Sequence, residues 1–252
     1  MCALACCNMA IVDNLMDSTQ NSRPSKILAS YSVPALLDEV YGRLVPIWPD
    51  AHPLLHYRSC FELLVAVILS AQTTDEQVNS VTDELFNRYP DAHSLAHAEI
   101  SEVERIIHPV GFFHVKARHI IEAAQMIEAR FDGKLPPSFD QLLELPGVGR
   151  KTANLVASAC HEVPGIIVDT HVLRVLCRLG ISPKKDPSLA ESIVRAHLAP
   201  EKHTHFSYSV NRHGKFTCTA RKPACTQNGA PCPLEDICPK IGITSLKNCD
   251  AE

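Results

Sequence analysis

Apolar residues recur along this chain at the three-to-four-residue spacing of helices with one face turned inward. Ser32-Val33-Pro34 opens the first such run, with Leu36, Leu37, Val40 and Leu44 on one face, and Pro46 and Pro49 close it. From Ser59 the segment CFELLVAVILSAQ is apolar on nearly every side, as a helix buried all round requires. Val78, Val81 and Leu85 predict a helix over 75–89. Val103, Ile106 and Ile107 predict another over 101–110, stopped by Pro109 and Gly111. A long amphipathic helix follows in VKARHIIEAAQMIEARFDG, with Gly133 placed to cap its end.

Ser138 and Gln141 fit a capping box for a short helix that ends at Pro146, and the next helix starts in GVGRK and runs to about Cys160. Residues 163–168, VPGIIV, are the only strand-like stretch and are too short and isolated to build a sheet. Asp169 opens a helix with Val172, Leu173, Leu176 and Leu179 inward, and Asp186-Pro187 opens one more. The pattern predicts an all-α fold with a cysteine-bearing loop near the end. It shows neither a repeat of fixed period nor a low-complexity tract.

Composition changes this picture in two places. The 252 residues carry a formal net charge of −4, so no bulk basicity advertises a polyanionic partner and any grip on nucleic acid must come from local patches. The longest apolar run, Leu63 to Leu69, is far below the roughly 20 residues that span a bilayer, so no membrane partner is expected. The N-terminus lacks a basic start before its apolar stretch and reads as a tail over residues 1–27, not a secretory signal. Residues 243–252 read as a second tail, and nothing in the pattern points beyond a monomer.

The eleven cysteines are not spread like a disulfide framework. Cys60, Cys160 and Cys177 sit in apolar helical patterns and read as buried thiols. Cys2, Cys6, Cys7 and Cys249 lie in the tails. Cys218, Cys225, Cys232 and Cys238 crowd into one segment with the spacing C-x6-C-x6-C-x5-C. Scattered thiols plus one dense cluster suggest a reducing cytoplasm and a metal site. Thiolates at this density bind zinc or an iron–sulfur centre, and zinc is the less favoured because no tight C-x2-C pair is present.

The stretch LPGVGRKTA sets Arg150 and Lys151 at the start of a helix, the end whose unpaired N–H groups disfavour a cation. A phosphate-cradling P-loop would need glycine where Arg150 stands. A dinucleotide fingerprint would need a third glycine at Thr152 and a strand in front. Two short helices joined by a hairpin at Pro146-Gly147-Val148-Gly149 fit. Such a turn lets the backbone approach another surface and leaves helix N–H groups for a phosphate. On the glycines alone, a purely structural helix–turn–helix connection is the stronger reading.

LPGVGRKTA nevertheless resembles the helix-hairpin-helix of the endonuclease III family of DNA glycosylases. ILSAQTTD (68–75), VDTHVLRV (168–175) and HGKFTCTARKPAC (213–225) are similar, in the same order, to its first DNA-facing loop, its catalytic aspartate segment and the start of its iron–sulfur loop. The likeness covers roughly residues 30 to 240. It implies a bifunctional glycosylase and abasic-site lyase of base excision repair that acts on oxidised pyrimidines in damaged double-stranded DNA. Lys151 would be the nucleophile, its ammonium form disfavoured by the helix terminus and by Arg150. Asp169 would stabilise the cationic sugar or accept the lysine's proton, a role compatible with its reading as an ordinary N-cap.

The resemblance further implies a structural [4Fe–4S] cluster on Cys218, Cys225, Cys232 and Cys238. The middle gap is four residues longer than the family's, an insertion that a turn at Gly229 and Pro231 would absorb. Arg221 and Lys222 would meet DNA phosphates, as would the hairpin of Gly147, Gly149 and Arg150. Gln72 would fill the vacancy of an extruded base, and Phe112, Phe113 and His114 would wedge the opposite side, with Lys116 and Arg118 at a backbone phosphate. Core packing is an equal alternative for Phe113, and His114, His171 and His213 fit surface or capping roles better than catalysis. The implied architecture is two helical lobes with a cleft between them: 28–52 plus 164–242 bearing the cluster, and a six-helix lobe over 53–163 with the hairpin motif at 139–161. Two other functions share these features. One is an adenine-mismatch-type monofunctional glycosylase, which lacks the lysine. The other is a non-catalytic DNA-binding module with a metal-stapled loop.

Overall fold

The computed structural model describes residues 31–161, 163–227 and 231–243, which form eleven α-helices and three short 3-10 turns with no strand among them. The expected tails, and the turn expected at Gly229, lie outside the described residues, apart from 243. The helices are α1 (Val33–Leu44), α2 (Cys60–Leu69), α3 (Asp75–Arg88), α4 (Ala92–Ala96), α5 (Ile100–Ile107), α6 (Phe113–Phe131), α7 (Phe139–Leu143), α8 (Arg150–His161), α9 (Thr170–Arg178), α10 (Pro187–His197) and α11 (His203–Phe216).

Local chemistry explains most of the boundaries. Ser32, Ser59, Thr74, Asp91, Ser138, Asp169 and Asp186 each accept a backbone N–H with the side chain as N-caps. At the end of α6, Asp132 and Gly133 are both left-handed, and the Gly133 N–H closes on the Ile127 carbonyl at 3.2 Å. Two helices exceed the predicted set. α4 is a single turn fixed by a reciprocal capping box between Asp91 and Ser94, too short for periodicity to show. α11 reads HTHFSYSVNRHGKF, a run of poor helix formers, and forms because Phe206, Ser207, Ser209, Val210, Arg212 and His213 are buried. On α9, Leu173 is only half-buried and Val175 takes the inward place.

The chain divides into two compact units. Among the described residues, one takes 31–49, Val168–Ala199 and those from Ser209 to 243; the other takes those within Asp50–Ile167 and Pro200–Tyr208. The second unit departs from the expected 53–163 lobe in two respects. It holds seven helices, α2 to α8, where six were expected, and it recruits residues 200–208. The Ile167 N–H donates to the Ser207 hydroxyl at 3.0 Å, and Tyr208 packs on this unit's core, so the start of α11 belongs here. Its core is α2, apolar but for Glu62 in its first turn, with all seven residues from Leu63 to Leu69 buried and wrapped by α3, α6 and α8. In the first unit α10 packs on α1 and α9, and Trp48 stacks on Phe216 with centroids 5.7 Å apart.

The reading of Cys60 and Cys160 as buried thiols is corrected. A disulfide joins them across 100 residues, with Cα atoms 5.7 Å apart. Each lies in its own apolar pattern, and only the side-by-side packing of α2 on α8 brings the two together.

Candidate functional site

In the second unit, α7 and α8 form the hairpin that the glycines predicted. Leu142, Leu145 and Val148 anchor it in the core, while Gly147 and Gly149 stay exposed. Gly147 has φ of +77°, and a Cβ there would lie 3.0 Å from the His119 side chain, so the turn needs glycine for both conformation and space. The Gly149 carbonyl accepts from the Ala153 N–H at 2.9 Å, which makes Arg150 and Lys151 the first two helical residues of α8. Arg150 lies over the Phe139 ring at 5.4 Å. Lys151 is solvent-exposed, one turn from the hairpin tip.

Two loops of the same unit carry the residues expected to enter DNA. Gln72 is exposed with φ of +56°, and Phe112 is 69% exposed with φ of +58°. Non-glycine residues adopt this left-handed region only where the surroundings enforce it. Phe113 is half-buried against the core and touches His108 and His114. His114 is exposed and paired with Glu104 at 2.9 Å. Arg118 is exposed.

Lys116 departs from its expected phosphate role. It is 5% exposed, and its ammonium donates to the Leu69 carbonyl and the Thr73 hydroxyl, each at 2.8 Å. Burial lowers its pKa. The side chain therefore caps the C-terminus of α2, where a cation is favoured, and holds the Gln72 loop from beneath.

In the first unit, Asp169 is the N-cap of α9. One carboxylate oxygen accepts the N–H groups of His171 and Val172 at 2.9 and 2.8 Å, and the other accepts the Asn211 amide at 2.6 Å. The capping reading is thus correct as geometry, and it fixes the carboxylate's direction. Asn211 escaped the sequence reading because nothing local marks it; it reaches Asp169 across 42 positions. Gly214 explains how α11 comes so near: a Cβ there would stand 2.9 Å from the His171 carbonyl. His213 is buried and pushed down to about 4 by desolvation, which leaves the ring neutral.

The four cysteines lie in the first unit. Cys218 is buried, and Cys225, Cys232 and Cys238 are half-buried. Burial pushes the Cys225 and Cys232 thiols up and Cys238 up to about 11, and in each case the neighbouring cysteines of the set add to the shift. Four mutually repelling sulfurs would ionise together only around a cation, the condition a metal or iron–sulfur centre satisfies. The scaffold is ready for anionic sulfur. Buried Arg178 donates to Cys218 Sγ at 3.0 Å and to the carbonyls of Cys218, Thr219 and Ala220, and the Lys240 N–H donates to Cys238 Sγ at 3.4 Å. Arg43 of α1 ties the loop to the body through the Pro233 carbonyl and Asp236. Arg221 and Lys222 are exposed between the first two cysteines.

A helix-hairpin-helix presenting an exposed lysine in one unit, with a capped aspartate and a cysteine-rich loop in the other, defines a class of base-excising DNA repair enzymes. Known proteins agree. The profile of the HhH-GPD superfamily of base excision DNA repair proteins matches residues 65–200. The chain is 44% identical to an endonuclease III of Synechocystis over 80% of its length and 90% of that protein's. It is 40% identical to a thymine-DNA glycosylase of Aeropyrum pernix over 70% and 80% of the two lengths. A trapped endonuclease III–DNA covalent intermediate superposes with a TM-score of 0.78 at 36% identity, covering 83% of this chain and 97% of that one. The chain belongs to the HhH-GPD superfamily and, within it, to the endonuclease III family. Its enzyme class is that of a DNA glycosylase and abasic-site lyase.

Proposed function

We propose that this enzyme excises oxidised pyrimidines from duplex DNA and nicks the strand 3′ to the abasic site through a Schiff base on Lys151. The observation that carries this reading is the exposed Lys151 at the start of α8, directly behind the Pro146–Gly149 hairpin. The hairpin's backbone N–H groups grip a phosphate without reading sequence, which brings the lysine to a sugar. Its neutral amine attacks C1′, the C1′–N bond to the base breaks, and the base leaves with a proton. The C1′–O4′ bond then opens, O4′ takes a proton, and the adduct becomes an imine that acidifies the C2′ hydrogen; loss of that proton expels the 3′ phosphate by β-elimination. Asp169 stabilises positive charge on the sugar during base departure, and the proton that the lysine gives up leaves with the base.

Extrusion of the base leaves a hole, which Gln72 fills while Phe112 wedges the opposite side. Phe113 serves the core. Cys218, Cys225, Cys232 and Cys238 hold a [4Fe–4S] cluster that orders the loop carrying Arg221 and Lys222 to DNA phosphates. The cluster supplies charge compensation and cross-linking of the loop, not chemistry at the base. The likeness to a thymine-DNA glycosylase favours one second reading, in which a mismatched thymine is the base removed.

Borohydride trapping on abasic duplex tests the core of this proposal. A covalent adduct that Lys151→Ala abolishes supports the lyase, whereas no adduct from the native enzyme returns it to a monofunctional glycosylase or a binding module. Turnover on duplexes bearing oxidised pyrimidines or a thymine mismatch then separates the two substrate readings.

A further inference from the structure

On the second unit, away from every residue assigned above, two histidines and a carboxylate converge. His93 lies in α4, His97 caps its C-terminus, and Glu128 lies on α6. His93 Nδ1 is 2.6 Å from one Glu128 oxygen, and His97 Nδ1 is 3.6 Å from the other. One donor atom from each residue falls within 4.8 Å of the other two. The rings of His93 and His97, one helical turn apart, have centroids at 4.7 Å.

We propose that His93, His97 and Glu128 form a binding site for a borderline divalent cation of the zinc type, with its remaining position open to water. Donors on one tetrahedral zinc ion, at bond lengths of about 2.0–2.1 Å, stand roughly 3.4 Å apart. The three side chains reach that spacing by small rotations, since both histidines are exposed and Glu128 is half-buried. The backbones beneath them need not move. Ala92, Leu95 and Ala96 are buried where α4 packs on α6, and Gln125 donates to the Ala96 carbonyl at 3.1 Å. Two imidazoles and one carboxylate suit zinc and its transition-metal neighbours. Magnesium and calcium demand oxygen throughout, which this set cannot provide. Binding would lock α4 to α6.

The test uses full-length enzyme purified with its cysteine loop loaded, so that those thiols are already committed. Zinc is titrated calorimetrically while histidine ring nitrogens are followed by NMR. One equivalent should shift the His93 and His97 rings together. His93→Ala, His97→Ala and Glu128→Gln should each weaken binding at least about tenfold, with borohydride trapping on abasic duplex unchanged in all three. No binding up to millimolar zinc would overturn the proposal. So would zinc uptake that is identical in the His93→Ala/His97→Ala double variant or leaves both rings unshifted.

Discussion

Replacing Lys116 by methionine removes one ammonium while keeping the length and most of the volume of the side chain. Two short hydrogen bonds are lost, to the Leu69 carbonyl and the Thr73 hydroxyl. Bonds made by a charged donor contribute about 1.5–3 kcal/mol each, so the gross loss is roughly 3–6 kcal/mol. Against this stands relief from burying a charge, which the lowered pKa of Lys116 records. The net destabilisation should be about 1–3 kcal/mol, or a melting point lower by roughly 3–10 °C in a chain of this size. The functional cost comes from the Gln72 loop, whose left-handed residue is worth about 1–2 kcal/mol of strain that now relaxes. Affinity for a duplex with a non-cleavable abasic analogue should fall about 5- to 30-fold as the competent loop state becomes minor. Because Lys116 is buried, the salt dependence of binding should not change. A phosphate-binding Lys116 predicts the reverse: an unaltered melting point and a salt slope lower by about 0.9. Anisotropy titrations from 50 to 200 mM salt, beside thermal melts, decide between them, and the second pattern would refute the positioning role.

Asp169→Asn should bind damaged duplex near-normally yet turn over at least about a hundredfold more slowly, because the new amide faces the Asn211 amide as donor to donor and carries no charge. Unchanged turnover would return Asp169 to capping alone. Reducing the Cys60–Cys160 disulfide, or substituting Cys60→Ser, should destabilise by about 2–4 kcal/mol, the usual contribution of a cross-link closing a long loop. Equal thermal melts with and without a dithiol reductant would dismiss the cross-link. Purified protein should be brown and contain about four iron and four inorganic sulfide atoms, the content of one [4Fe–4S] cluster; zinc by elemental analysis would displace the cluster assignment.

What could be read from the chain alone was whatever a few neighbouring residues decide. Helical periodicity needs one turn of context, an N-cap such as Asp169 needs three residues, and a hairpin needs its glycines. The four-cysteine run was visible for the same reason, since its members lie within one segment. The fate of Lys116, the partner of Asp169, the Cys60–Cys160 link and the helix over 203–216 depended on residues 40 to 100 positions away. No local signal encodes them. Lys116 reads as a surface cation until the end of α2 arrives to accept its hydrogen bonds. The two cysteines read as inert thiols until α2 and α8 pack. Asn211 is an ordinary polar residue until Gly214 lets α11 settle onto α9. Propensity and capping are short-range energies, whereas burial and partner choice are settled only when distant segments exclude water together.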